Sequence, residues 1–175
     1  MGFLKCILYL AVTGITTFFV GRLFPKKWIR SDAFPYRSFS FEKDGRIYDK
    51  INIHEWQDKI PDMSKLVPNL MPTKRLDGNL LEKLPVMIRE TCVAELTHFL
   101  LGTTALYCFC IWKGIGGIII VLLYEIGNIP YILVQRYNRP RLIRLLEGFE
   151  KRKTAHITRC ARGEKICNGN TDTQL

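Results

Sequence analysis

The chain has 175 residues, enough for one domain of ordinary size, and is 47% hydrophobic and 24% charged with a formal net charge of +10. On average that looks soluble, but the two classes are segregated into long apolar runs and charged stretches, which excludes an ordinary soluble globule. The six cysteines carry no Cys-x-x-Cys spacing and read as small apolar fillers and free thiols, not as a disulfide or metal framework.

The first element is apolar throughout, from Cys6 to Gly21. It predicts a membrane anchor over residues 1–24. A cleaved signal peptide is the alternative, but no Ala-x-Ala site follows. Pro25-Lys26-Lys27-Trp28-Ile29-Arg30 then reads as an aromatic and basic anchor at a membrane interface. Residues 31–50 set Phe34, Tyr36, Phe39, Phe41 and Tyr48 among charges, and their Ser-Phe-Ser-Phe alternation suits a short strand or an extended interfacial loop. Ile51–Ile60 suits a short helix stopped by Pro61. Residues 62–78 are broken by Pro68, Pro72 and Gly78, as a surface segment would be.

From Gly78 an amphipathic approach through Leu80, Leu81, Leu84, Met87 and Ile88 carries Pro85, which marks a kink or a helix start. It leads into Leu96–Trp112, apolar apart from His98 and small polar groups. A tight turn at Trp112-Lys113-Gly114-Ile115-Gly116-Gly117 separates this run from Gly114–Val134, which is apolar apart from Glu125 and Asn128. A span needs about 20 apolar residues. The expectation is therefore an all-α membrane protein with about three transmembrane helices, over roughly 3–24, 93–112 and 114–134, plus interfacial helices. After the third, Asn138 suits a helix cap and Pro140 a first turn. Leu142, Leu145, Leu146 and Phe149 then share one face, predicting an interfacial helix over 139–153. Residues 154–175 form a polar tail expected to be disordered.

Charge sets the orientation. Fourteen Lys/Arg lie between Arg22 and Val93 and ten from Arg136 to the end, whereas the opposite ends of the runs hold only Lys5 and Lys113. The positive-inside rule then predicts a multi-pass protein of the cell membrane, with its N-terminus outside and its 22–93 loop and C-terminal tail cytoplasmic.

Ionisable side chains inside a span are costly and mark function by default. Glu95 and His98, three apart, project from one helix face. At ~1.5 Å per residue, His98 lies roughly 8 Å from the cytoplasmic face, Asn128 roughly 9 Å and Glu125 roughly 14 Å. These four can line one polar pocket, with Arg136, Arg139 and Arg141 at its mouth. A neutral histidine suits taking a proton from an alcohol, and Glu95 or Glu90 suits orienting it. The arginines suit phosphates of a coenzyme or lipid, and Asn128 a developing oxyanion. These are the parts of acyl transfer from a phosphorylated donor to the hydroxyl of a lipid-soluble acceptor. Polar residues in spans also serve as interhelical hydrogen bonds, so a non-enzymatic membrane protein that binds a lipid or a partner enzyme is the alternative. A single Glu-x-x-His falls short of a di-iron site, which needs two such motifs, and no metal is expected.

Several blocks carry a family resemblance. They are Phe39-Ser40-Phe41-Glu42-Lys43-Asp44-Gly45, Trp56 through Pro61, Glu90 with Ala94-Glu95-Leu96-x-His98, and Asn128-x-Pro130. The longest runs Val134-Gln135-Arg136-Tyr137-Asn138-Arg139-Pro140-Arg141-Leu142. With these blocks the chain resembles the glycosyl-4,4'-diaponeurosporenoate acyltransferases over roughly residues 35–153. The resemblance makes residues 25–153 an acyltransferase-like region. It implies the last step of staphyloxanthin-type carotenoid synthesis, in which a primary sugar hydroxyl of a glycosylated carotenoid is esterified with a fatty acyl group. The acceptor would be that glycolipid or a related one. The donor would be acyl-CoA or an acyl carrier protein. No bound cofactor and no nucleic-acid partner are expected. The carry-over reaches Glu90, Glu95, His98, Asn128, Gln135, Arg136, Asn138, Arg139 and Arg141. It does not reach Glu125.

Overall fold

In a computed structural model, residues 1–23, 25, 29–60 and 80–162 are described, and no strand occurs among them. Three long helices dominate: α1 (Gly2–Leu23), α3 (Leu80–Ala105) and α5 (Ile115–Ala161). Two four-residue helices, α2 (Ile53–Trp56) and α4 (Cys108–Ile111), lie between them. Each long helix holds a stretch long and apolar enough to cross a membrane. Leu4, Leu8, Ile15, Phe99, Ile119, Leu122 and Ile126 are exposed on them, as the lipid-facing surface of an all-α membrane protein requires.

α3 and α5 form the most extensive pair, and α1 packs across both. The turn after α4 reverses the chain at Lys113-Gly114, as the sequence predicts, so α3 and α5 run antiparallel as neighbours. Near this turn Cys6, Leu10, Ala105, Cys108, Ile120 and Val121 make a small core, with Tyr9, Trp112 and Tyr124 against it. Cys6, Cys92 and Cys108 are buried free thiols filling space between helices, and Cys110 is exposed.

The far end is built differently. Residues 39–59 fold into short 3-10 turns around α2 and not into a strand. The Phe39 amide donates to the Glu42 carboxylate at 2.7 Å, which closes the first turn where an alternating strand was one expectation. Gly45 follows with φ +88, a left-handed conformation open to glycine at no steric cost. A Cβ there would lie 3.3 Å from the Tyr137 carbonyl oxygen, so glycine also lets this loop reach the α5 backbone. Tyr48, Ile53 and Tyr137 then form a second core, with Trp56, Leu133 and Val134 packed against it.

Two boundaries differ from expectation. α3 starts at Leu80 and runs through Pro85. α5 is one helix of 47 residues, with Pro130 and Pro140 inside it. At ~1.5 Å per residue it is about 70 Å long, twice a hydrocarbon core of ~30 Å. The stretch 139–153, expected as a separate helix, is thus the continuation of the third apolar helix, and Asn138 is an interior residue rather than a cap. Pro140 lacks the N–H that would bond the Arg136 carbonyl. The 39–59 loop packs against that turn, with Gly45 beside the Arg136 and Tyr137 carbonyls. Residues 26–28, 61–79 and 163–175, which hold most of the basic interfacial anchor, the Pro-broken segment and most of the polar tail, lie outside the described residues.

Candidate active site

The seam between α3 and α5 carries three polar layers. The first lies at the end where the 39–59 loop docks. Glu95 on α3 is 7% exposed, and Glu42 from the loop is 2% exposed. The Arg136 guanidinium donates to Glu42 and to Glu95, both at 2.5 Å. Arg139 donates to the other Glu95 oxygen, to the Thr91 hydroxyl at 3.0 Å and to the Tyr36 carbonyl at 2.6 Å. Tyr48 donates its hydroxyl to Glu42. The result is an alternating chain, Glu42–Arg136–Glu95–Arg139, with two charges of each sign and nearly every polar atom satisfied. Arg136 also lies over the Phe39 ring at 4.6 Å, and Arg139 over Tyr36 at 5.5 Å.

Burial alone would raise the Glu42 carboxyl. The hydrogen bonds from Arg136, Tyr48 and the Phe39 amide outweigh it and hold that group below its ordinary value. Burial first, and then the Glu42 charge beside it, push the Tyr48 phenol up.

This geometry changes the roles expected of four residues. Glu95 is committed to two guanidiniums and is not the group bonded to His98. Glu90 stands eight residues before His98 on α3, ~12 Å along the axis, too far to orient it. Arg136 and Arg139 are not open at a mouth. Their side chains are 10% and 3% exposed, and the gap bounded by Tyr36, Ser38, Glu42 and Pro140 leaves no room for a water. Of the three arginines, Arg141 alone is well exposed. It lies 3.7 Å over the Tyr137 ring and 3.3 Å from Asp49. Gln135 and Asn138 are half-buried on α5.

The second layer is His98 with Asn128. The Asn128 amide donates from Nδ2 to the His98 carbonyl at 2.6 Å, and its Oδ1 lies 2.7 Å from His98 Nδ1. The depth match expected from sequence therefore becomes two hydrogen bonds. The pair also fixes the tautomer. Reversing the amide would set Oδ1 against a carbonyl oxygen, so Oδ1 must face the ring, and Nδ1 must carry the proton it accepts. His98 Nε2 is left with its lone pair. The Tyr131 ring stacks on the imidazole, with centroids 4.5 Å apart and planes 11° apart. Both ends of the Asn128 amide bond His98, so it positions the imidazole, and one Nδ2 hydrogen remains for the oxyanion contact expected from sequence.

The third layer is Glu125 on α5 against Gly102 on α3, one turn beyond the histidine. Among the described residues no three His, Cys, Asp or Glu side chains gather as a metal site would need.

Sequence reasoning did not assign Glu42, Tyr48, Thr91, Gly102 or Tyr131 to the site. Tyr131 was within reach, because it stands three after Asn128 and so shares its face. Glu42 stood in a block that carried the family resemblance, yet nothing local announced that it pairs with an arginine 94 residues away.

Helices of this length and apolarity, with a polar seam at one end, define an all-α membrane protein whose chemistry-bearing residues sit between two antiparallel helices. Residues 25–148 match the family model described as glycosyl-4,4'-diaponeurosporenoate acyltransferase. The chain is 32% identical over 152 residues to the protein of that name from Staphylococcus aureus strain MRSA252, covering 86% of this chain and 92% of that one. It is 31% identical to the strain N315 protein over the same shares. The chain belongs to the glycosyl-4,4'-diaponeurosporenoate acyltransferase family, and so is an acyltransferase. No solved structure matches it.

Proposed function

We propose that this protein esterifies a sugar hydroxyl of a glycosylated carotenoid, or of a related membrane glycolipid, with a fatty acyl group. The donor is a thioester on coenzyme A or an acyl carrier protein. The observation that carries the reading is the two-point lock of Asn128 on His98. It leaves Nε2 as a base in a membrane-type helix pair, on a chain whose family is named for this transfer.

In this reading Nε2 takes the proton of the sugar hydroxyl as its oxygen attacks the thioester carbonyl carbon. The C–S bond breaks, the acyl group stays on the sugar oxygen, and the imidazolium returns its proton to the departing thiolate. Asn128 Oδ1 stabilises the imidazolium through the Nδ1 proton, the task expected of Glu95 from sequence. Arg141, exposed beside the loop, is the residue left to meet donor phosphates. The protein sits in the cell membrane with its N-terminus outside and the 22–93 loop and C-terminal tail in the cytoplasm. The basic residues on those segments support this orientation.

Wild type and His98→Ala expressed in a host that makes glycosylated carotenoid test the reading by mass spectrometry of extracted lipid. The wild type yields a new ester, and His98→Ala lowers it about a hundredfold or more at equal protein level. Undiminished ester in His98→Ala sinks the general base, and no ester with the wild type sinks this acceptor. Because Asn128 also bonds the His98 backbone, a purely adhesive role has its own signature: His98→Ala then lowers stability rather than rate.

A further inference from the structure

Glu125 is a carboxyl group in the middle of an apolar helix, and the acyl-transfer mechanism above leaves it without a task. Its neighbours Leu122, Leu123, Ile126 and Ile129 are exposed apolar residues, so it stands at the lipid-facing edge of the α3–α5 seam. Among the described residues no hydrogen bond or ion pair engages it, whereas every other carboxylate of the seam is paired. Its carboxyl lies against the α3 backbone at Gly102. A Cβ at Gly102 would lie 2.8 and 2.9 Å from its two oxygens, so a larger residue there would push the carboxyl aside. Gly102 follows His98 by four residues, and Glu125 precedes Asn128 by three. The carboxyl therefore lies on the His98–Asn128 face, about 5 Å further along the seam and away from the arginines. An ionisable group kept at such a place without a partner calls for a ligand that supplies one.

We infer that Glu125, seated on Gly102, is the sugar subsite for the acyl acceptor, accepting hydrogen bonds from the non-reacting hydroxyls so that the reacting one faces His98 Nε2. That this sugar accepts an acyl group rests on the acyl-transfer reading; the binding of a lipid-linked sugar does not. The geometry sets an order along the seam. The apolar tail of the acceptor lies in lipid against Leu122 and Ile126. Its sugar sits at Glu125, its reacting hydroxyl at His98, and the thioester arrives from the Arg141 end. Sugar hydroxyls can donate to a carboxyl, whereas a phosphate would be repelled by it and a hydrocarbon tail has no hydrogen to donate.

Two measurements on the full-length protein in phosphatidylglycerol vesicles test this. In the first, a dodecyl glucoside bearing a diazirine on its sugar is photolysed and the labelled peptides are identified. The 98–128 region of the wild type should be labelled, with plain dodecyl β-D-glucoside competing and dodecanol not. Glu125→Ala should lose the label about tenfold, and the near-isosteric Glu125→Gln, which keeps one acceptor oxygen, should retain an intermediate amount. In the second, acyl transfer to the plain glucoside is followed. Glu125→Ala should raise the KM for glucoside about tenfold while the KM for the acyl donor stays put.

Label that is the same in wild type, Glu125→Gln and Glu125→Ala overturns the subsite. Label that follows Glu125 with no ester formed upholds the subsite and sinks the acyl-transfer reading. Ester formation that needs His98 but ignores Glu125, in label and in KM alike, does the reverse. If Glu125→Ala does not fold, Glu125→Gln decides alone: wild-type label and wild-type acceptor KM in that variant overturn the proposal.

Discussion

At the loop end of the α3–α5 seam, Glu42, Arg136, Glu95 and Arg139 neutralise one another in a closed chain. One turn along, His98 and Asn128 share two hydrogen bonds and leave one imidazole nitrogen with no hydrogen-bond partner among the described residues. One region is built from full charges and the other from an imidazole and an amide, and both are largely shielded from solvent. The difference lies in whether the polar atoms are used up. A satisfied buried network holds the 39–59 loop against two helices, but it has nothing left to offer a substrate. The neighbouring layer is tied down at one side of the ring and open at the other. That combination suits proton transfer, because the imidazole is fixed before a substrate arrives. Glu95 and His98, three residues apart on α3, set the charged clamp ~4.5 Å along the seam from the imidazole.

The charged clamp should give the largest effect. Glu95→Ala leaves two guanidiniums beside one remaining carboxylate, and breaking a buried pair in this way costs about 3–5 kcal/mol. The expected result is a large fall in thermal stability, read by the melting of detergent-solubilised protein, with activity lost in proportion to folded protein. A Glu95→Ala variant that melts like the wild type but cannot form ester would move Glu95 from the clamp to the chemistry.

Asn128→Leu cuts the other half. Without an acceptor at Nδ1 the ring loses its fixed tautomer, and the rate of ester formation should drop about tenfold. Because Asn128 acts through His98, the double variant with His98→Ala should be no slower than His98→Ala alone. Additive losses would show that Asn128 has an independent role, such as the oxyanion contact expected from sequence.

The smallest effect is the pH dependence of the clamp. The Glu42 carboxyl is held below its ordinary value of 4.5 because its hydrogen bonds outweigh its burial. A depressed carboxyl contributes stability in full above the unfolded value and loses it as pH falls through the folded one. The melting-temperature difference between wild type and Glu42→Gln should therefore stay constant from neutral pH down to about the ordinary glutamate range, then shrink below it. A difference that shrinks above pH 5 would contradict the pairing with Arg136.

Much of the architecture was legible in the sequence. Three apolar runs of sufficient length, separated by a loop and a tight glycine-containing turn, give three membrane-type helices with the last two antiparallel. The depth of His98 and Asn128 followed from counting residues back from the ends of adjacent helices, and a 2.7 Å contact now joins them. The partners of Glu95 were not legible. Spacing shows that Glu95 and His98 share a face, but a face does not say which neighbour a side chain turns to. The arginines that claim Glu95 lie 41 and 44 residues later, beyond the end of the third apolar run. Pro140 hid that continuity, because a proline reads as a helix start or stop unless outside packing holds the helix through it.

By itself the sequence determined how many helices can cross a membrane, which of them are neighbours, and which polar residues meet at one depth. These follow from periodicity, length and the cost of burying charge, all of which are local. The tertiary structure alone decided how those polar residues are shared out. Once Glu42 enters from the 39–59 loop, each arginine finds a carboxylate, and the histidine falls to Asn128. Glu125 is left over, resting on Gly102. Pairing in a low-dielectric seam depends on every charge within reach, including charges far away along the chain, and only the folded arrangement counts them together.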